Sequence, residues 1–376
     1  MGSTVIDYFD GAEADLLKRG QTLLSKIPPR LPREFQLLTQ KCRDELTNDL
    51  DAVRGLKKLP PEARLRKFKR IVAHIDMLEV SGFAALNRAN DDDKHLNILI
   101  ERIGHEINYP SLPPVVTLLS QSYYYISSIL GLLSVPLGEA DSLLHIPDLY
   151  HELAHPLVGQ RYEPRVQPFR LGLVHGLTAV ENYIAAELAR EDRSRGPLAL
   201  RHYLTNWMKS WTESWLEELF CDLFATYTLG PAFVWSHLHL CVKRGMNPFA
   251  TPLYVPTSHP ADDARMTVML QGLRRIGFSA DAERIAARWQ EFLKIGNYRP
   301  EPEFHRCYTQ QLLDVLSQLA YESVDSMGCR IARPTTTDIV HDALNSAWTQ
   351  FWQAPARYPQ WETTAVARLR SQLAQS

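Results

Sequence analysis

Apolar residues recur at three- and four-residue spacing through most of this 376-residue chain, the period of helices with one buried face. The pattern predicts a helix over 12–26, broken by Pro28, Pro29 and Pro32. Two longer helices are expected over 34–59 and 61–90, where Phe68, Ile71, Ile75 and Leu78 share a face. Asp91-Asp92-Asp93 is a start signal for a helix over 95–107, and Pro110, Pro113 and Pro114 close this N-terminal stretch. The period then changes. Val115, Val116, Tyr123–Ile126 and Ile129 are β-branched or aromatic, so a small sheet is expected within 115–135, with 132–136 ending an edge strand. Helices resume over 174–189, from the Gly196-Pro197 break up to Gly230-Pro231, over 233–243 and over 262–276. Four more, over 281–295, 304–326, 338–352 and 363–374, run to the C-terminus.

The expected fold is therefore mainly α with a small β-sheet (α+β). It is organised as an N-terminal helical region over 1–110, a core over 111–276 and a C-terminal helical region over 277–376. At 45% hydrophobic the chain is long enough to bury a sizeable core, and a formal net charge of −2 gives no electrostatic case for nucleic acid. Five cysteines (Cys42, Cys221, Cys241, Cys307, Cys329) lie far apart with no C-x-x-C pair, which implies reduced thiols and a cytoplasmic protein. The first ten residues lack the apolar core of a signal peptide. Residues 111–138 carry no charge, yet Thr117, Ser120, Gln121, Ser122, Ser127 and Ser128 make them a buried core segment rather than a membrane span.

Chemistry concentrates at His151-Glu152-Leu153-Ala154-His155. On a helix, residues four apart lie on one face, so the two imidazoles can converge on a zinc ion with the intervening Glu beside them. Pro147 and Asp148 suit the first turn of that helix, whereas Pro156 must kink or end it. Such a site needs a third ligand. Glu218 and Asp222, spaced i, i+4 on a later helix, suit a ligand and an outer acceptor for an imidazole N–H, with Glu213 and Glu217 as competitors. His237 and His239, two apart on a helix, read as packing residues; His145 and His175 stay unassigned.

The order H-E-x-x-H, then E-x-x-x-D, then Ser258-His259-Pro260 with Arg265 six residues after the His resembles the gluzincin zinc metallopeptidases. Within them it is most similar in pattern to soluble relatives of the prenyl-protein endopeptidase family, over about residues 132–270. The resemblance implies a zincin-like catalytic core with Zn2+ held by His151, His155 and Glu218, Glu152 as general base and Asp222 behind the ligands. It further implies His259 as a donor to the oxyanion, with Arg265 supporting it or binding substrate. The expected activity is peptide-bond hydrolysis by a zinc-bound water that Glu152 deprotonates. Three departures stand out: Pro156 follows the second His, Cys221 precedes Asp222, and a long insertion separates the two ligand helices. Two alternatives stay open: a helical scaffold or adaptor with a structural or vestigial zinc site, and a zinc hydrolase of a non-peptide substrate. The expected partner is a peptide or protein substrate. The helical flanks are expected to shape access or bind a protein, with no nucleic acid and no membrane insertion.

Overall fold

The computed structural model describes residues 5–120, 124–139, 141–160, 163–194, 198–244 and 247–375. Among the described residues the chain is mainly helical, with one three-stranded sheet. Tyr123 and the Gly196-Pro197 break lie outside the described residues. The packing divides the chain into two compact units, one of 1–98 with 114–140 and the other of 99–113 with 141–376. These borders differ from those expected at 110 and 276, because the strands share a core with the N-terminal helices and the last helices share one with the motif helices.

In the first unit, helices Val5–Ser25, Gln36–Arg54 and Pro61–Leu78 bury Leu16, Leu38, Cys42, Leu46, Ile71 and Ile75 in one cluster with Val115, Leu130 and Leu132 of the strand region. The strands are β1 (Val115–Ser120), β2 (Tyr125–Ser127) and β3 (Leu132–Pro136). Their order is β1-β3-β2, with β3 parallel to β1 and antiparallel to β2. Leu133 lies opposite Val116 on one side and Ile126 on the other. β3 is thus the central strand, which corrects the expectation of an edge at 132–136. Pro136 is tolerated because it is the last residue of the strand, where a missing donor matters least. The outer side of β1 is stitched to helix Asp91–Glu106: Asn97 exchanges two hydrogen bonds with the Val116 backbone, and Asp93 accepts from the Leu118 N–H. Side chains here satisfy an edge that would otherwise expose donors and acceptors.

The second unit is helical. Its long helix Gln167–Ser194 packs on Gln310–Ser326 and on Leu216–Leu229. Gly172 and Gly176 make this approach possible. A Cβ on Gly172 would sit 1.9 Å from Ser323 Oγ, and one on Gly176 3.0 Å from Leu216 Cδ1. Leu198–Ser210, a π-helical turn Trp211–Trp215 and Leu216–Leu229 follow one another without a break. Gly230, at φ +83°, ends the run and Pro231 starts helix Pro231–Arg244. Among the described residues no helix is long and apolar enough to cross a membrane. All five cysteines are buried and unpaired.

Candidate metal centre

The H-E-x-x-H segment is two short helices, Asp148–Glu152 and His155–Gly159, rather than one. The physical reason is Pro156. It has no N–H for the Glu152 carbonyl four residues back, and its ring crowds that carbonyl. The chain tightens through Leu153 and Ala154, where the Ala154 N–H reaches the His151 carbonyl and the Leu157 N–H reaches Ala154. This leaves the Leu153 carbonyl without its helical donor. The Tyr109 hydroxyl donates to it at 2.7 Å. Both residues of the turn keep right-handed helical angles, so the two imidazoles still share a face.

Their inner nitrogens meet. His151 Nε2 and His155 Nε2 are 3.2 Å apart, and the Glu218 carboxylate reaches across with Oε2 3.5 Å from the first and Oε1 3.7 Å from the second. Two donors on a tetrahedral zinc with bonds near 2.0 Å are separated by about 3.3 Å, so the three side chains are spaced as ligands of one such ion. His151, His155 and Glu218 together can hold a metal.

Their outer nitrogens are held by carboxylates. His151 Nδ1 lies 2.9 Å from Asp222 Oδ1, and His155 Nδ1 lies 3.0 Å from Glu217 Oε1. Residue 151 thus meets 222, while 155 meets 217 and 218: a four-residue step on one element is matched by a four-residue step in the opposite sense on the other. With Nδ1 bound outward, both Nε2 atoms face the shared point. Glu217, one of the competitors for third ligand, therefore braces His155, and Glu218 takes the inner place. Phe233 stacks on His151 with ring centroids 6.1 Å apart and supplies an apolar wall.

Asp222 is fully buried and is gripped at both oxygens by Arg265, Nε to Oδ2 and Nη2 to Oδ1, each at 2.7 Å. Burial alone would raise its carboxyl pKa, but Arg265 and His151 hold it far below the usual carboxylate range. Arg265 is itself buried and grips Asp222, so it acts on His151 through that carboxylate; its Nη2 also lies 4.0 Å from Glu218 Oε2, the oxygen that His259 Nε2 approaches at 3.7 Å. His151 feels burial against its charged form, yet hydrogen bonds to Asp222 and Glu218 outweigh it and raise the imidazole to about 10. Burial also opposes the Glu218 carboxylate, which His151, Arg265 and His155 nonetheless lower to about 2.

Glu152 is 7% exposed, and burial raises its carboxyl pKa against the neighbouring charges of His151 and His155. His259 stands on the solvent side, its side chain 56% exposed, with Nε2 3.7 Å from Glu218 Oε2 and Nδ1 2.9 Å from Ser258 Oγ. Cys221 Sγ sits 3.6 Å from His155 Nδ1, but burial keeps that thiol protonated. The structure therefore gathers His151, His155, Glu218, Asp222, Arg265, Glu152 and His259 in one place. Tyr109 and the bracing role of Glu217 escape the sequence pattern. No family model, curated protein or solved structure matches this chain, which leaves the geometry of the site as the ground for a functional reading.

Proposed function

We propose that the protein is a zinc-dependent metallopeptidase of gluzincin type, acting on a peptide or protein substrate. One observation carries the reading: two imidazoles four residues apart have Nδ1 braced by carboxylates and Nε2 turned with Glu218 toward a common point. The donor set and its spacing fit Zn2+, which His151, His155 and Glu218 would hold. When bound, zinc would supply a Lewis acid that polarises a scissile carbonyl and makes water more acidic.

The remaining work falls to the chain. Glu152, with its pKa raised by burial toward the working range of a general base, takes a proton from water and returns it to the leaving amine. A Ser258 hydroxyl donating to His259 Nδ1 leaves the imidazole proton on Nε2, where it can donate to an oxyanion beside Glu218. Arg265 and Asp222 fix the ring of His151, and Glu217 fixes that of His155. The base also separates this reading from a structural zinc site in a scaffold, which needs no buried carboxylate beside its ligands. Five buried, unpaired thiols suit a reducing compartment, so the cytoplasm is the proposed location.

The test is zinc content measured beside cleavage of a peptide library. Wild type should carry zinc and cleave, Glu152→Gln should keep its full zinc content without cleaving, and Glu218→Ala should lose one equivalent of zinc together with cleavage. A Glu152→Gln protein that cleaves like wild type removes Glu152 as base. Wild type that stays metal-free after zinc is added back removes the peptidase reading.

A further inference from the structure

The second ligand-like cluster lies outside this constellation. His237 and Cys241 occupy successive turns of helix Pro231–Arg244, and Asp262 opens helix Asp262–Arg275. The sequence pairs His237 with His239 two residues on, a spacing that points them apart; the partner on its own face is Cys241, four residues on. His239 packs against the rings of Trp348 and Phe351, as expected of a packing residue. His237 does more than pack.

His237 Nε2 and Cys241 Sγ are 3.4 Å apart, and one donor atom from each of His237, Cys241 and Asp262 lies within 4.8 Å of the others. A tetrahedral ion with a sulfur bond near 2.3 Å and a nitrogen bond near 2.0 Å separates those two donors by about 3.5 Å. The imidazole and the thiol are buried, at 2% and 3% exposure, while Asp262 is half-buried, which gives the cluster a wet side. Charges balance: one thiolate and one carboxylate neutralise a divalent cation, with the imidazole neutral. Asp262 sits in the first turn of its helix, where a carboxylate is favoured. Arg265, one turn on, has its guanidinium on Asp222; burial and the Asp262 carboxylate hold the Cys241 thiol protonated in the metal-free chain, so an ion entering the cluster displaces that proton.

We propose that His237, Cys241 and Asp262 bind a second, thiophilic divalent ion of the zinc class, distinct from the one proposed at His151, His155 and Glu218. Nitrogen, sulfur and one oxygen select a borderline-soft transition metal over calcium or magnesium, which take oxygen ligands. Three protein donors leave one position of a tetrahedral ion for water. The site does not depend on the peptidase reading, since it shares no ligand with the first centre.

Cobalt(II) tells the two apart. A thiolate ligand gives cobalt an intense near-ultraviolet charge-transfer band, and a centre of two imidazoles and a carboxylate gives none. The experiment reconstitutes the metal-free full chain with Co2+ and records equivalents bound and the band. Wild type should bind a second equivalent and show the band. Cys241→Ser, which preserves volume, should lose the band and one equivalent while its circular dichroism stays that of wild type. Glu218→Ala should keep the band and lose the other equivalent. Asp262→Asn, at a half-buried position, should weaken the cobalt titration of the band. Wild type with no thiolate band overturns the proposal. So does a band that survives Cys241→Ser or disappears in Glu218→Ala, since it would then belong to another thiol such as Cys221.

Discussion

The Tyr109 hydroxyl donates to the Leu153 carbonyl at 2.7 Å, in the turn that separates His151 from His155. That carbonyl is free because Pro156 stops the helix, and it is buried, so without Tyr109 it would be an unpaired acceptor. Leaving such a group unsatisfied costs about 1–3 kcal/mol. Tyr109→Phe should therefore lower the denaturant midpoint by a corresponding amount with an unchanged m-value. It should also weaken retention of the proposed zinc ion, because the same turn sets the spacing of the two imidazoles. A variant with wild-type stability would show that the turn holds without this bond.

Asp222 and Glu217 brace one imidazole each, but in different surroundings. Asp222 is fully buried against Arg265, whereas the Glu217 side chain is 38% exposed. Removing a partner that orients a ligand histidine typically costs about 10–100-fold in metal affinity. Asp222→Asn should reach the upper end and also destabilise the fold by about 3–5 kcal/mol, because it leaves the Arg265 charge buried and poorly paired. Glu217→Gln should stay near the lower end and leave stability almost unchanged. Competition with a chromophoric chelator measures the first quantity and chemical denaturation the second. Equal losses of affinity in the two variants would contradict the asymmetry of burial.

The two imidazoles are legible in the sequence because helix periodicity turns a four-residue spacing into a shared face, and that rule survives a broken helix as long as the turn keeps helical angles. Helical bulk and a small sheet near 115–135 are legible for the same reason, since period and β-branched content are local properties. What is not legible depends on partners far along the chain. Whether β3 is an edge or a centre depends on which strand returns beside it, and nothing within 132–136 encodes that. Glu217 and Glu218 are neighbours of one type, and only the antiparallel run of the motif against Leu216–Leu229 decides which faces inward. Arg265, six residues after His259, also grips the buried Asp222, a partner 43 positions earlier that its own spacing does not encode.

His145 makes the fold sensitive to acid. Burial, the Lys243 ammonium at 3.4 Å from Nε2 and the nearby His239 ring lower its pKa from the ordinary 6.5 to about 4. At pH 7 the ring is neutral in folded and unfolded chain alike, and its environment imposes no penalty. As pH falls below 6.5 the unfolded chain takes up a proton that the folded chain refuses, so stability declines down to about 4 and then levels off. His237, lowered to about 4 by burial and Arg265, adds a decline of the same sign. Thermal unfolding between pH 7 and 4 should show a falling midpoint. His145→Gln should make that fall shallower without abolishing it, the remainder belonging to His237, His239 and, toward pH 4, the lowered carboxyls of Glu218 and Asp222. A slope unchanged by the substitution would mean that His145 charges freely in the folded state.

Gly172 tests how tightly the long helices must approach beside helix Leu216–Leu229, which carries Glu218. An added Cβ would meet Ser323 Oγ at 1.9 Å and Ser323 Cβ at 3.2 Å, and that hydroxyl is held in place by its bond to the Leu319 carbonyl at 2.6 Å. Alanine is ordinarily the better helix residue by about 1 kcal/mol, so a gain is the naive expectation. Overpacking costs about 1–3 kcal/mol and here should win, making Gly172→Ala destabilising. The severest conflict is with one oxygen atom, so most of it should be relieved when that atom is removed. Gly172→Ala should cost less in a Ser323→Ala background than in wild type, a coupling that a double-mutant cycle reads directly. The remaining 3.2 Å contacts with Ser323 Cβ and Phe220 Cε1 predict partial rather than full relief. Strict additivity of the two substitutions would mean that the helices shift apart instead of clashing. Metal retention in Gly172→Ala would then report whether that shift reaches Leu216 and Glu218 on the helix packed against them.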